Sequence, residues 1–474
     1  MIRIEITDYC NRRCEYCFFN DRLSAKSAEM SIADFKTVLD YCAAENINFV
    51  FIQGGEPTAH SNFREIIRLL NNREFKYTLF TNGVFDTSLI KELLPAQDNE
   101  VLLNYNRPDT YSSPGDWDLV NRNIEEIISK GINFKLGYTM YESNPDYTFF
   151  LNAIEKYGLR KIRWDLARPS RSFTNRFFDF KEFFEMKKTL AEFLKEIINR
   201  GCYCEWDCPL PACMFLSEDF DFVNYKIDLT CHSNCGAMIN IGAGLRISGC
   251  PAGMDFRDIY LKDFQSLSQA QLFLNAEFDS IRNKVWLSDD CIDCVYRYAG
   301  ECQGGCIGHK RMREDKIIDK TDLKKFLETS PSVAGYPQNN KMPIKIDENI
   351  LNKAVTKYSS MLEKDMKNPF LLFSLGRCYE YLELYDNAIL CYEKIKRTHH
   401  SYLIAGYRLD LVYQLKAIQT NKKNIRAWKR LRDICANIFE NPEIFKNYVR
   451  QYSFDGMFGA GDRQYVINAD RDKK

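Results

Sequence analysis

Short apolar runs alternate with amphipathic stretches from residue 1 to about residue 200, and this alternation constrains the fold more than any other feature. The runs expected to form strands are Ile2–Thr7, Asn48–Gln53, Tyr77–Thr81, Val101–Tyr105, Phe134–Thr139 and Lys161–Leu166. The helical patterns are Ser31–Glu45, Phe63–Asn71, Thr87–Leu94, Trp117–Lys130, Tyr147–Tyr157 and about Phe180 to Arg200. Six strand–helix units predict an α/β fold with a parallel sheet, in which ligands bind at the carboxyl ends of the strands.

Charge and cysteine content limit the partners and the compartment. The 65 basic residues balance the 65 acidic ones, so net charge gives no indication of nucleic acid or an anionic membrane as partner. Arg3 and Glu5 interrupt the first apolar run, so no signal peptide is expected, and no stretch approaches 18 apolar residues. The 18 cysteines in a chain without an export signal indicate metal binding in a reducing compartment. We therefore expect a cytoplasmic protein.

Three cysteines lie within eight residues, directly after the first expected strand, at Cys10, Cys14 and Cys17. An odd number of such close thiols cannot pair fully as disulfides. They suit a cubane iron–sulfur cluster, in which three thiolates leave one of the four irons open to a further ligand. A structural zinc site or buried core thiols are the alternatives.

The spacing Cys-x3-Cys-x2-Cys, with Tyr16 before the last cysteine, resembles the signature of radical S-adenosylmethionine (SAM) enzymes. The second strand ends in Gly54-Gly55-Glu56-Pro57, which resembles the GGEP motif that contacts the SAM amino group in that family. Thr81-Asn82-Gly83 follows the third strand, as is common there. Asn104 on the fourth strand is our candidate for a further SAM contact.

This resemblance implies a partial (β/α)6 barrel over residues 1–200. It also implies that one electron, delivered by a donor such as flavodoxin or ferredoxin, cleaves SAM at the open iron. The resulting 5′-deoxyadenosyl radical would remove a hydrogen atom from a substrate held away from water. The residues implied to contact SAM are Tyr16, Gly54, Gly55, Glu56, Pro57 and Asn104.

A second group of cysteines occupies residues 201–330, where Ala237–Ser248 reads as a hairpin. The arrangement resembles the SPASM domain of peptide-modifying radical SAM enzymes, which carries two auxiliary 4Fe–4S clusters. The resemblance assigns Cys231, Cys235, Cys250 and Cys306 to the first cluster and Cys291, Cys294 and Cys302 to the second. A zinc ribbon is the alternative for the group from Cys291 to Cys306.

The fourth ligand of the second cluster stays open, since the next cysteine, Cys378, is distant in sequence and expected in another domain. The candidates are Asp315, Asp319, Asp322 and His309. Cys208 and Cys213 either replace Cys231 or Cys235 as ligands or line the substrate cavity. Buried apolar roles are expected for Cys42, Cys378, Cys391 and Cys435.

Residues 331–345 read as a linker, residues 346–450 as an all-α region and residues 451–474 as a tail. Leu372, Leu375, Gly376 and Tyr379, with Ala388 and Tyr392, match the tetratricopeptide pattern, and Ala354 and Tyr358 lie thirty-four residues before the latter pair. Such repeats commonly bind extended peptides on a concave face. Because the cluster motif begins at Cys10, we expect these repeats to replace an amino-terminal leader-binding module.

Together these features predict a radical SAM enzyme with three 4Fe–4S clusters that oxidatively modifies a peptide or protein. The expected product is a cross-link, a thioether or an unsaturated residue. One alternative is a radical SAM epimerase or small-molecule dehydrogenase, with Cys202, Cys204, Cys208 or Cys213 as hydrogen donor. Another is a redox-responsive scaffold that binds a partner through its helical repeats.

Overall fold

The computed structural model describes most of the chain. The described residues are 2–23, 28–95, 98–206, 208–215, 220, 235–250, 252–282, 284–292, 294–298, 302–314, 317–329, 347–364, 366–398, 403–422 and 424–435. Two compact units divide the chain, and neither is continuous in sequence. The first combines residues 1–209, 235–287 and 306–337, and the second combines residues 210–234, 288–305 and 338–474.

The first unit is built on a sheet of nine strands among the described residues, in the order β7-β6-β5-β4-β3-β2-β1-β8-β9. The strands are β1 (Ile2–Thr7), β2 (Phe49–Gly54), β3 (Lys76–Thr81), β4 (Glu100–Asn104), β5 (Phe134–Met140), β6 (Lys161–Leu166), β7 (Tyr203–Glu205), β8 (Ile239–Ile241) and β9 (Ile247–Ser248). Neighbours from β7 to β8 are parallel, and β9 runs antiparallel to β8. The predicted parallel sheet is therefore confirmed.

Helices cross between the strands as expected. Those of the first unit are α1 (Ile32–Ala44), α2 (Phe63–Asn72), α3 (Pro114–Ser129), α4 (Thr148–Tyr157), α5 (Phe180–Glu185), α6 (Lys187–Asn199), α7 (Leu267–Arg282), α9 (Ile307–Lys310) and α10 (Lys320–Thr329). A separate parallel pair joins β10 (Asp255–Phe256) to β11 (Ile317–Ile318).

Two expected helices differ from the structure. The segment predicted at Thr87–Leu94 is a six-residue 3₁₀ helix, Thr87–Glu92. Pro95 follows shortly after and disfavours helical geometry in the residue before it, so no longer helix can form. The long pattern from Phe180 is divided at Met186 into α5 and α6. Asp179 and Glu182 form a capping box, which fixes the start of α5 at Phe180.

The core explains why β1 is central. Ile2, Ile4 and Ile6 are buried, and β1 pairs with β2 on one side and β8 on the other. The predicted hairpin is present as β8 and β9, with Gly244 in the left-handed region of its turn. Because β8 joins the same sheet as β1, the predicted domain boundary at residue 200 does not separate the two compact units.

The second unit is helical in its described carboxyl-terminal part, as predicted. Its helices are α8 (Val295–Tyr298), α11 (Glu348–Lys364), α12 (Pro369–Tyr381), α13 (Tyr385–Thr398), α14 (Leu403–Thr420) and α15 (Ile425–Asp433). Helices α12 and α13 cross closely at Gly376, where an added Cβ would lie 2.6 Å from the ring of Tyr392. The predicted linker and tail lie outside the described residues. No described helix is long and apolar enough to span a membrane.

Candidate functional site

The first cysteine group lies on the loop that follows β1, which we call the cysteine loop (residues 8–17). Its three thiols, those of Cys10, Cys14 and Cys17, are free and partly buried. The loop therefore begins at the carboxyl end of a central strand, where parallel sheets place their ligands.

Residues at the end of β2 pack against the backbone of this loop. The N–H of Gly55 donates to the carbonyl of Thr7 (2.8 Å), and the N–H of Glu56 donates to that of Tyr9 (2.7 Å). An added Cβ on Gly54 would lie 2.3 Å from the Thr7 oxygen, and one on Gly55 would lie 2.1 Å from the Tyr9 oxygen. Both glycines are thus required because two backbones touch there. Their sequence motif by itself predicted only a contact with SAM.

Glu56 joins the ends of β2 and β3. Its carboxylate is 1% exposed and accepts hydrogen bonds from the N–H and hydroxyl of Thr58, the hydroxyl of Thr81 (2.8 Å) and the N–H of Asn82 (2.8 Å). Burial raises the pKa of Glu56, while these hydrogen bonds lower it. The next residue, Pro57, begins a short 3₁₀ helix. Glu56 therefore connects the ends of β2 and β3 through hydrogen bonds within the protein.

Asn82 connects Glu56 to the cysteine loop through hydrogen bonds. Its side-chain N–H groups reach the sulfur of Cys10 (3.7 Å) and the side-chain oxygen of Asn11 (2.8 Å). Its oxygen accepts from the N–H of Val84 (2.8 Å), which fixes the amide orientation. The sequence placed Asn82 at the end of the third strand, but no local pattern predicted its contacts with Cys10 and Asn11.

Arg12 links the cysteine loop to the segment after β4. Its guanidinium donates to the carbonyl of Thr110 (2.9 Å) and lies 3.8 Å from the ring centre of Tyr111. Arg12 is 3% exposed, and its Nη1 atom has no hydrogen-bond partner among the described residues. Although burial lowers the pKa of Arg12, the neighbouring Cys14 and Tyr111 raise it above its ordinary value. A buried cation thus stands beside the thiols.

The segments after β5 and β6 hold the carboxyl-terminal half of the loop. Tyr16 stacks on Tyr141, with ring centres 4.8 Å apart. The side chain of Asn175 donates to the carbonyl of Tyr16 (3.0 Å), and the N–H of Arg176 donates to that of Glu15 (2.7 Å). Segments from the carboxyl ends of β2 to β6 therefore all contact this loop.

The thiols fit a metal cluster by their chemistry. Burial, with the neighbouring thiols, raises the pKa of Cys10 to about 11 and that of Cys17 to about 12. A coordinated metal deprotonates a thiol outright, so a cluster would supply the positive charge that this buried group needs. In the described part of the chain, no three His, Cys, Asp or Glu side chains converge tightly enough for a single metal ion.

Two asparagine side chains at the end of β4 have unused hydrogen-bonding capacity. Both side-chain polar atoms of Asn106, which has no exposed surface, lack a partner among the described residues, and so does the buried oxygen of Asn104. Buried polar atoms without partners are costly unless a ligand satisfies them. The predicted Asn104 and the additional Asn106 are thus candidate ligand contacts at the same sheet edge.

A second group of thiols gathers within the first unit. The neighbouring thiol of Cys306, together with burial, raises the pKa of Cys208 well above its usual value. Burial, then Cys235 and Cys208, raises the pKa of Cys250 to about 12. Cys231, the other predicted ligand, lies outside the described residues. Cys208, one of the two cysteines expected either to replace Cys231 or Cys235 as a ligand or to line the substrate cavity, is thus grouped with Cys235, Cys250 and Cys306.

Arg168, after β6, is the buried cation of this second group. Its guanidinium donates to Asp165 (3.0 Å) and to the carbonyl of Cys208 (2.9 Å), and it is 3% exposed. Burial lowers the pKa of Arg168, but Asp165, Cys208 and Cys306 raise it. Cys202 and Cys204 lie apart from this group at β7, where Cys204 pairs with Ile162 of β6.

Cys291, Cys294 and Cys302 lie together in the second unit. Burial and Cys302, then Cys291, raise the pKa of Cys294 to about 11, and the N–H of Gly304 donates to the sulfur of Cys302 (3.2 Å). Of the predicted fourth ligands, His309, Asp319 and Asp322 belong to the first unit, and Asp315 lies outside the described residues.

Cys378 differs from the expectation that it belongs to another domain. It shares the compact unit of Cys294, and Cys294 helps to raise its pKa. The sequence separation of the two cysteines is large, but the helical region folds back onto the cysteine-rich segment within this unit. Cys378 is therefore a further candidate for the open ligand position.

Part of this chain is similar to known proteins. Residues 4–147 match the family model of the Radical SAM superfamily. GTP 3′,8-cyclase of Synechocystis sp. is 29% identical over 174 residues, covering 34% of this chain and 52% of that protein. PqqA peptide cyclase of Methylobacterium nodulans is 27% identical over 149 residues, covering 30% and 39%. The chain spans about half the length of the first curated relatives that it matches.

Two further matches extend beyond the family model. The radical SAM cyclopropyl synthase TigE of Paramaledivibacter caminithermalis is 23% identical over 365 residues, covering 69% of this chain and 72% of that protein. The crystal structure of Streptococcus suis SuiB bound to S-adenosylmethionine has a TM-score of 0.50 at 15% identity, covering 68% of this chain and 76% of that one. The fold is therefore that of radical SAM proteins. Residues 4–147 are similar to the Radical SAM superfamily, a class of enzymes that catalyse radical reactions.

Proposed function

We propose that this protein is a radical SAM enzyme that oxidatively modifies a residue of a peptide or protein. Cys10, Cys14 and Cys17 would hold the cluster that binds SAM. When bound, that cluster and SAM supply a 5′-deoxyadenosyl radical that removes a hydrogen atom from the substrate. The modification would be a cross-link, a thioether or an unsaturated residue.

The observation that carries the oxidative part of this proposal is the second thiol group. Cys208, Cys235, Cys250 and Cys306 gather in the same compact unit as the radical SAM domain, beside the buried Arg168. A substrate that has lost a hydrogen atom has to lose a further electron before it can close a new bond. An auxiliary cluster held by these thiols is a suitable acceptor.

The residues of the chain have two tasks in this chemistry. The contacts from the ends of β2 to β6 hold the cysteine loop rigidly, which preorganises its thiols. The amide of Asn106 and the amide oxygen of Asn104, which have no partners among the described residues, would orient SAM through hydrogen bonds. Orientation of this kind accounts for a large part of enzymatic rate acceleration.

The relatives support a peptide as substrate class. The match to PqqA peptide cyclase favours a peptide as the substrate. The match to GTP 3′,8-cyclase covers 34% of the chain. GTP is therefore the alternative substrate that the experiment has to exclude.

The test is an anaerobic reaction of the reduced, cluster-loaded enzyme with SAM and synthetic peptides encoded beside the gene, followed by mass spectrometry. We expect 5′-deoxyadenosine and a peptide that has lost hydrogen atoms. Replacing Cys10, Cys14 and Cys17 by Ala should abolish both products. Cys42→Ala, which changes a buried cysteine in helix α1, is the matched control and should retain them.

Three outcomes would contradict the proposal. Conversion of GTP in place of peptide would assign a nucleotide substrate. Deuterium incorporated from solvent into a peptide of unchanged composition would indicate an epimerase. Absence of 5′-deoxyadenosine from a reduced enzyme with full iron content would favour a redox-responsive scaffold.

A further inference from the structure

Three arginines line a cavity of the first unit that has no role in the radical chemistry proposed above. The cavity has a volume of about 260 Å³. Its described lining residues are Arg171, Arg246, Phe256, Arg257 and Asp258. Asp258 is the single acid among these described lining residues, so positive charge is in excess. A cavity of this charge attracts an anion.

The cavity lies at the sheet edge from which the cysteine loop begins. Arg171 follows the carboxyl end of β6, and Arg246 comes directly before β9. Ile247 of β9 pairs with Ile241 of β8, and Ile241 in turn pairs with Ile4 of β1. Because β8 and β1 are parallel, both arginines belong to segments at the carboxyl edge, where parallel sheets bind ligands.

Hydrogen bonds join the segments that carry these arginines. The buried Arg311 donates to the carbonyl of Arg171 (3.1 Å) and to that of Ala252 (3.4 Å), which precedes β10. The N–H of Ile247 on β9 donates to the carbonyl of Ile259 (3.0 Å), which follows β10. The arginines are therefore carried on segments that are fixed to one another. Such preorganisation lowers the entropic cost of binding.

Two other carboxylates lie near these arginines, but neither is among the described lining residues of the cavity. That of Asp21 accepts from the N–H of Ser172 (2.7 Å) and the hydroxyl of Thr174 (2.6 Å). That of Asp319 accepts from the N–H of Thr321 (2.7 Å). Both carboxylates are thus engaged outside the cavity.

The two remaining lining residues favour an acidic side chain over a small inorganic anion. Phe256 is buried and offers an apolar surface to methylene groups. Asp258 is exposed, so it can accept from a peptide N–H, and its charge repels a phosphate more strongly than a carboxylate. A glutamate residue of a peptide presents a planar carboxylate that matches a guanidinium, together with methylene groups and a backbone N–H.

We propose that this cavity binds an acidic side chain of the peptide substrate, distinct from the residue that reacts. The inference rests on the proposed function and adds a requirement for negative charge in the peptide. Arg171, Arg246 and Arg257 would bind the carboxylate. They would thereby determine which part of the peptide is held while another residue meets the radical.

The test measures the fluorescence anisotropy of a labelled hexaglutamate peptide with the full, cluster-loaded chain, in the absence of SAM and reductant. Replacing Arg171, Arg246 and Arg257 together by Gln should weaken binding at least about tenfold, because charge-assisted hydrogen bonds are lost. The matched control removes the same charge from three exposed arginines of the first unit, by replacing Arg73, Arg122 and Arg160 by Gln. Its affinity should stay within about twofold of the wild type, since exposed distant charges are screened.

Single changes at the exposed Arg246 keep the inference falsifiable if the triple variant does not fold. Arg246→Glu should weaken hexaglutamate binding about tenfold, because attraction is replaced by repulsion. Arg246→Lys keeps the charge and should retain most of the affinity. Unchanged binding in Arg246→Glu, or equal loss in the pocket and control triple variants, would overturn the proposal.

Competition with inorganic phosphate separates a peptide carboxylate from a free anion. Tighter binding of phosphate than of hexaglutamate would assign an inorganic anion and overturn the proposal. A wild-type enzyme that modifies peptides, with normal hexaglutamate binding in the pocket triple variant, would contradict this inference alone. An enzyme that binds hexaglutamate through the three arginines but forms no 5′-deoxyadenosine would contradict the proposed function instead.

Discussion

Two buried asparagines show how differently one residue type is used in the first unit. Asn106 and Asn123 both have no exposed surface. Asn123 donates to the carbonyls of Gly83 (2.9 Å) and Phe85 (2.9 Å) and accepts from the hydroxyl of Thr87 (2.7 Å). Neither polar side-chain atom of Asn106 has a partner among the described residues. Asn123 thus contributes to stability, whereas Asn106 has its amide available for a ligand.

This contrast gives a prediction at the scale of single residues. Asn106→Ala should change the free energy of unfolding by less than about 1 kcal/mol, because no internal hydrogen bond is lost. Its dissociation constant for SAM should rise about tenfold, the equivalent of one good hydrogen bond. Asn123→Ala should cost about 3 kcal/mol of stability through three lost hydrogen bonds. Anaerobic urea unfolding and SAM titration measure these quantities, and a stable Asn106→Ala with unchanged SAM affinity would contradict the assignment.

At the scale of elements, strand positions were predictable and strand-end contacts were not. β1 and β6 begin and end where expected, because alternating or continuous apolar residues define a buried strand. The hydrogen bonds that hold the cysteine loop involve Asn82, Arg12 and Asn175. They join residues up to 159 positions apart, and no local sequence pattern predicts such contacts.

The contact between β2 and the cysteine loop gives a prediction at this scale. Gly55→Ala would place a Cβ 2.1 Å from the oxygen of Tyr9, so the loop has to move. The variant should lose about four irons per chain and most SAM cleavage. Gly115→Ala, whose Cβ would be 3.6 Å from its nearest neighbour, is the control and should retain both. Full iron content in Gly55→Ala would show that the loop tolerates the displacement.

At the scale of the whole molecule, the helical region is part of a core rather than an appendage. Val295 and Tyr296 share one apolar cluster with helices α11 to α15, and Cys294 and Cys302 pack against it. Removal of the helices would expose this core to water. A deletion is therefore a poor test of peptide recruitment, and changes at exposed side chains such as Leu390 and Tyr413 are better suited.

Deletion of residues 346–474 should accordingly disrupt the site of Cys291, Cys294 and Cys302. We expect loss of its iron and strong binding of a hydrophobic dye, because apolar side chains lose their cover. Formation of 5′-deoxyadenosine should persist, since the contacts that hold the cysteine loop all lie in the first unit. A truncated chain that keeps the iron of the wild type would refute the shared core.

Sequence alone was sufficient for the radical SAM resemblance, the parallel sheet and the helical carboxyl-terminal region. These follow from local spacing: three cysteines within eight residues, glycines after a strand, and apolar periods of two and 3.6 residues. Tertiary structure alone brought Cys208 to Cys306 and Cys378 to Cys294, and left Asn106 without a partner among the described residues. Such groupings depend on how distant segments pack, and packing is not encoded in the spacing of any one segment.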